Sequence, residues 1–322
     1  MRVLFSILGL ILVTTATAFA QTFPQPGRPI RVLVGFAAGG GTDIQARIVA
    51  PRLAEALGAN VLVENKPGAS TSIAAAEAAR SAPDGHTLLY TFNGTMAQVP
   101  YTVAGVSYDP FRDFTPISLG ARGSQILVLH VSVPANNIKE LLAWAKANPG
   151  QLNIASFGTG TSSHLFAEMF MRQSGVEMVH VPYKGTGDAV KDLLAGRVQI
   201  MFDAGTSAIQ NVATGRMRML AVVGERRSPF TPDVPTLTEQ GIKGIDLVGW
   251  LGWFGPANLP PETTKKLNAA LVKTLADPEV KAAIEKGGYE SVSSTPEELT
   301  ALTRRDTERW ARIIKDIGIK PQ

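Results

Sequence analysis

The sequence predicts an α/β protein built on parallel sheets with helices on their faces. Three observations carry this. Strand and helix signals alternate as βαβαβ between residues 30 and 91, an order that needs crossover helices and favours parallel pairing. An apolar run, a glycine turn and a helix start follow one another twice, over residues 32–43 and again over 152–164. A shorter helix–glycine–strand unit then repeats at Gly196 and Gly215, each glycine placed where a helix exits through the left-handed conformation.

The first 20 residues read as an export signal. Arg2 supplies a positive start, residues 3–13 are apolar, and Ala18-Phe19-Ala20 is an A-x-A cleavage pattern. The apolar run is shorter than the roughly 20 residues of a spanning helix, so cleavage after Ala20 and a soluble, exported chain are expected. With no cysteine in the sequence, disulfides and a lipid anchor are excluded and stability must come from packing. A chain of 322 residues is long enough for two domains. A formal charge of +4 without a basic run argues against nucleic acid as a partner.

Taken in order, residues 30–36 form the first strand. Residues 43–57 carry Ile44, Ile48 and Leu57 on one side of a helix, with Pro51 expected to kink it and Gly58 to stop it. A strand over 60–64, the Asn65-Lys66-Pro67-Gly68 turn, an alanine-rich helix over 72–80, the Asp84-Gly85 turn and a strand over 86–91 follow. Residues 108–114 read as a loop. A strand over 126–131, a helix over 138–147 capped by Asn137, and a strand over 152–157 lead into Gly158-Thr159-Gly160-Thr161-Ser162-Ser163-His164. Leu165, Phe166, Met169 and Phe170 continue at helical spacing. Strands over 179–182, 198–202 (reaching Asp203) and 217–223 alternate with helices ending near Leu194 and starting near Ala208. Residues 247–254 hold Trp250 and Trp253. Three helices close the chain, signalled by Pro261, by Asp277-Pro278 and by the capping box Thr295-Pro296-Glu297-Glu298.

The chemistry lies in the glycine turns. The run Gly39-Gly40-Gly41-Thr42-Asp43 lacks the lysine of a Walker loop and the third spaced glycine of a dinucleotide fingerprint. Two readings remain: a tight turn with Asp43 or Thr42 as N-cap, or an oxyanion site where N–H groups at the helix start meet a carboxylate or phosphate. Asp43 either fixes the loop or meets a ligand donor. His164 either touches ligand or bonds locally, Tyr183 is either packed or at the ligand, and Asp203 ends a strand as a functional group or a hinge hydrogen bond. His86, His130 and His180 read as structural, and Trp250 and Trp253 as packing residues. No spacing suggests a metal site, and no cofactor is expected. Ser156 and His164 could pair as nucleophile and base, but no third, orienting carboxylate is visible, so an enzyme is not expected.

The motifs together resemble the receptor family of tripartite tricarboxylate transporters (the Bug-type periplasmic receptors). The resemblance is carried in order by Arg28-Pro29-Ile30-Arg31, Phe36-Ala37-Ala38-Gly39-Gly40-Gly41-Thr42-Asp43, Val63-Glu64-Asn65-Lys66-Pro67-Gly68, Pro83-Asp84-Gly85-His86, the Ser156-to-Leu165 run, His180-Val181-Pro182-Tyr183-Lys184-Gly185, Asp233-Val234-Pro235-Thr236 and Trp250-x-Gly. It implies a two-lobed periplasmic binding protein fold of type II-like arrangement, with two crossover strands and a ligand cleft between the lobes. The first lobe would comprise residues 24–123 plus 225–322 and the second 124–224, hinged near Gly123 and Gly224. The site it implies is Phe36, Ala38, Gly39, Gly40 and Asp43 from the first lobe, with Ser156, Gly158, Thr159, Thr161, His164, Tyr183 and Asp203 from the second. The function it implies is capture of a small carboxylate (a di- or tricarboxylate, amino acid or aromatic acid) and delivery to inner-membrane transporter subunits. A monomer is expected. The rival readings are a sensor docking on a signalling protein and an exported hydrolase using Ser156 and His164. The sequence departs from the family's pattern between Asn93 and Val106, where Asn93 and Gln98 either meet the distal end of a ligand or decorate a surface loop.

Overall fold

The computed structural model describes residues 23–321; the export signal lies outside the described residues. The first lobe opens with β1 (Ile30–Val34), α1 (Gly41–Leu57), β2 (Val61–Asn65), α2 (Ser72–Ala79) and β3 (Thr87–Phe92). Two short helices, α3 (Asn93–Ala97) and α4 (Val99–Thr102), precede the long strand β4 (Phe114–Gly123). The second lobe holds β5 (Gln125–His130), α5 (Ile138–Ala147), β6 (Asn153–Ser156), α6 (Ser162–Ser174), β7 (Val179–Pro182), α7 (Thr186–Leu194), β8 (Ile200–Ala204), α8 (Gly205–Val212) and β9 (Met217–Val222). The chain ends with β10 (Gly249–Pro256), α9 (Pro261–Leu275), α10 (Pro278–Lys286), β11 (Glu290–Ser291) and α11 (Pro296–Ile317).

These form two sheets, ordered β11-β4-β10-β3-β1-β2 and β7-β6-β8-β5-β9. The expected parallel pairs are present, β1 with β2 and β3, and β6 with β7 and β8. Each sheet is mixed: β10 runs antiparallel to β3 and β4, and β5 antiparallel to β8 and β9. The antiparallel strands are those that carry the chain between lobes. β4 passes into β5 through Ser124 alone, and Gly249 at the start of β10 pairs with Gly123 at the end of β4.

The chain returns to the first sheet at Gly249. Residues 225–247, which the resemblance assigns to the first lobe, pack Leu237, Ile242, Ile245 and Leu247 into the second lobe's core. Val222 bridges Thr236 beside β9. The apolar spacing of this stretch is irregular because it follows a sheet edge rather than a helix face.

Local rules account for the elements that position the cleft. α1 buries Ala46, Val49, Leu53 and Leu57 at helical spacing, with Ile44 and Ile48 only partly covered. Pro51 is accommodated inside it, and Gly58 closes it at φ 65°. Gly196 and Gly215 adopt φ 72° and 70° at the predicted exits. Thr295 and Glu298 form the reciprocal capping box of α11. That helix is shared between lobes. Leu299 and Leu302 join a first-lobe core, while Trp310 and Ile314 join the second-lobe core, Trp310 lying 5.6 Å from Phe166.

Candidate functional site

The first glycine turn delivers the start of α1 to the space between the sheets. Gly40, not Asp43 or Thr42, is the N-cap, in extended conformation. The Gly40 N–H returns to the Ala37 carbonyl at 3.3 Å, so the loop is a closed turn. The N–H groups of Gly41 and Thr42 come next, where a helix offers no internal acceptor. Asp43 is the third helical residue. One carboxylate oxygen accepts from the Gly39 N–H at 2.8 Å; the other accepts from Arg47 Nε at 2.9 Å and Asn65 Nδ2 at 2.9 Å. Both oxygens are therefore occupied within their own lobe, and the carboxylate holds the loop. Ala38 and Gly39 form its exposed tip.

The second turn is framed in the same way. Thr161 caps α6, and its hydroxyl donates to the Gly158 carbonyl at 2.7 Å. His164 Nδ1 accepts from the Gly160 N–H at 3.0 Å, which places the ring proton on Nε2, 3.4 Å from Glu168. The imidazole stacks on His180 with centroids 4.1 Å apart. His180 Nε2 in turn meets Ser156 Oγ at 2.7 Å. Burial, with a smaller effect of His164, pulls His180 down to about 4. Ser156 is fully buried and its hydroxyl also receives the Gly158 N–H. Ser156 thus pairs with His180, not His164, and serves as a loop strut.

Two hydroxyls of the first lobe reach this turn. Ser70 Oγ donates to the Thr159 carbonyl at 2.6 Å and Thr102 Oγ1 donates to the Gly160 carbonyl at 3.0 Å. Ser70 stands in an unusual segment: Ala69, Ser70 and Thr71 have φ of 42°, 52° and 82° in succession. Side chains adopt this region at a cost. Gly35 makes it possible, because a Cβ there would come within 2.6 Å of Thr71.

Between the lobes lies a cavity enclosing about 580 Å³, open mouth included. The first lobe contributes Phe36, Gly40, Gly41, Thr42, Gln45, Phe92, Asn93, Trp250 and Leu251; the second contributes Gln125, Phe157, Ser162, Thr186 and Ala204, with Tyr289 closing one side. The starts of α1, α6, α7 and α8 all converge here. Gly41 and Ala204 are in contact range across the lobes, a Cβ on the glycine lying 3.6 Å from that of Ala204. Four positive helix ends around one space are able to stabilise an anion without a cationic side chain. Among the described residues no Lys, Arg, Asp or Glu lines it.

Of the residues singled out from the sequence, Phe36 and Gly40 line this cavity. Ser156, Gly158, Thr159, Thr161 and His164 build the turn whose intervening Phe157 and the following Ser162 face it. Tyr183 is turned away, its hydroxyl donating to Asp192 at 2.8 Å. Asp203 is fully buried next to Ala204. It accepts the Ala204 N–H with one oxygen, leaves the other unpartnered, and is raised to about 7 by burial. Asn93 and Gln98 are 4% and 0% exposed, so neither decorates a surface loop, and Asn93 faces the cavity. Gln45, Gln125, Trp250 and Tyr289 were missed as site residues. Gln45 and Phe157 sit inside or beside the glycine motifs and were within reach; Gln125 and Tyr289 arrive by long-range topology.

A two-lobed α/β architecture with a cavity between the lobes is that of a solute-binding protein. The chain matches the family described as the tripartite tricarboxylate transporter family receptor over residues 45–319. It is 37% identical over 314 residues to a UPF0065 protein from the tcbD–tcbE intergenic region of Pseudomonas sp. strain P51, covering 97% of this chain and 93% of that one. Its fold is similar to periplasmic binding protein BugD, with a TM-score of 0.88, 35% identity, and coverage of 92% and 100%. It is also similar to MatC from Rhodopseudomonas palustris, solved with bound malate, with a TM-score of 0.85, 31% identity, and coverage of 90% of this chain and 100% of that one. The chain belongs to the tripartite tricarboxylate transporter receptor family, a family of periplasmic receptors rather than enzymes.

Proposed function

We propose that this protein captures a small carboxylate in the interlobe cavity and delivers it to the membrane subunits of a tripartite tricarboxylate-type transporter. The observation that carries the reading is the convergence of four helix starts on a cavity without cationic side chains. Each charge-assisted hydrogen bond from such N–H groups contributes about 1.5–3 kcal/mol, so three or four offset the desolvation of one carboxylate. Malate in MatC supports the same ligand class. Binding from both lobes would couple capture to closure, with Ser70 and Thr102 as clasps and with bending at 123–125 and 247–249, where the chain crosses. Ser156, buried away from the cavity, gives no support to hydrolysis.

Thermal melts against paired probes test this. A ligand present at 100 times its Kd stabilises the folded state by about 2.7 kcal/mol. Carboxylates should raise the Tm and the matching neutral amides should not. Equal shifts from an acid and its amide would remove the anion site from the account.

A further inference from the structure

Gln45 stands one turn into α1 from Gly41, and both residues line the cavity. Residues four apart share a helix face, so this side chain lies on the face that carries the helix start, about 6 Å further along the axis. Gln45 is 1% exposed. Its oxygen accepts from the Tyr90 hydroxyl at 3.0 Å. Tyr90 is itself fully buried, its ring stacked on Trp253 with centroids 4.3 Å apart, and among the described residues Gln45 is the partner its hydroxyl has. A phenol has one proton to donate, and the Gln45 oxygen takes it. The amide is thereby held in one orientation, and Nε2 is left without a partner.

The other polar side chains of the cavity are not committed in this way. The hydroxyls of Thr42, Ser162 and Thr186 can each donate or accept, and Asn93 offers both a donor and an acceptor. Gln125 spends Nε2 on Ser162 at 2.6 Å. Gln45 Nε2 can only donate. A ligand that brings an acceptor to it completes the hydrogen bond. A ligand of the same shape without one fills the space and leaves a buried N–H unpaired, which is the arrangement that discriminates most strongly between analogues.

We propose that Gln45 is the specificity-determining residue of this receptor. Its ligand is a carboxylate that carries a second hydrogen-bond acceptor, a carbonyl or a further carboxylate, about 5–6 Å from the first, one helical turn away. This rests on the carboxylate reading of the cavity and deepens it. The test is calorimetric titration of the purified protein with two matched series: pentanoate, 4-oxopentanoate and glutarate, and benzoate, 3-formylbenzoate and isophthalate. Within each series the body is the same and the second acceptor is absent, a neutral carbonyl or a carboxylate. The expected result is that, in at least one series, a member with the second acceptor binds at least tenfold more tightly than the plain acid. Gln45→Leu, checked for an unchanged circular dichroism spectrum, should reduce that ratio to less than threefold. The double variant Tyr90→Phe with Gln45→Leu removes both partners of the internal hydrogen bond and takes the same measurement if Gln45→Leu alone does not fold. A plain acid binding as tightly as its partners in both series, or a preference that survives the loss of Gln45, would overturn this inference and leave the carboxylate receptor standing. Failure of all six acids to bind would overturn both.

Discussion

Gly40 ends the first turn in extended backbone, and a Cβ there already lies 3.3 Å from the Ala37 carbonyl. The two further methyls of a valine would occupy the space an anion needs in order to reach the α1 N–H groups. Gly40→Val should therefore raise the Kd for the best acid at least about tenfold, with a Tm within a few degrees of the parent, measured by titration and melting of both proteins. Two titrating groups, the buried Asp203 and the half-buried His180, make opposite pH predictions. Asp203 releases its proton near 4 when unfolded and at about 7 when folded. The folded form holds the extra proton between these values, so stability present at low pH is lost as pH rises through 7. Asp203→Asn should melt higher than the parent at pH 8 and nearly level with it at pH 4.5. His180, held down to about 4 chiefly by burial, contributes stability above about 6.5 that is lost as pH falls towards 4. Removing its ring should flatten the acid limb of the melting curve. Neither partner of these groups was legible beforehand. Ser156 meets His180 only because β6 and β7 pair in parallel with Ile154 opposite His180, a register no local pattern encodes.

At the scale of single elements, local chemistry was often sufficient. Gly58, Gly196, Gly215, Asn137 and the Thr295 box all act where the sequence places them, since caps depend on a few adjacent residues. Thr295→Ala should cost about 1 kcal/mol in denaturant unfolding. The strand β4 was not foreseen, because Pro116, Gly120 and Gly123 interrupt its pattern; it is stabilised by pairing with β10 along nearly its whole length. The short helices α3 and α4 escaped for a related reason. They are too brief to show a period, and their polar residues Asn93, Thr95 and Gln98 are buried by tertiary packing. The left-handed segment at Ala69, Ser70 and Thr71 has no sequence signature at all, yet it aims Ser70 at the opposite lobe. A net hydrogen bond is worth about 0.5–1.5 kcal/mol. Ser70→Ala should accordingly weaken ligand binding by about two- to tenfold while leaving the unfolding midpoint of the ligand-free protein nearly unchanged, as titration and melting would read.

For the whole molecule, the α/β class and the two glycine turns followed from residue patterns, whereas the lobe contents did not. Residues 225–247 lie along the second lobe because their leucines and isoleucines complete its core, a choice made by packing and invisible in composition. The same holds for the cavity: its phenylalanines come from β3, the first turn and the second turn, which tertiary packing brings within 6.0 Å of one another. Solution scattering should report a smaller radius of gyration with a saturating acid than without, and an identical radius in both states would argue against closure.

The C-terminal helix, with leucines in one lobe and Trp310 in the other, is a rod about 33 Å long. A rod tilts but does not stretch, so if the lobes part as proposed, α11 would act as a spine and the opening would lie along the rim farthest from it. On the proposed transport role, a solute would then enter and leave by one and the same edge.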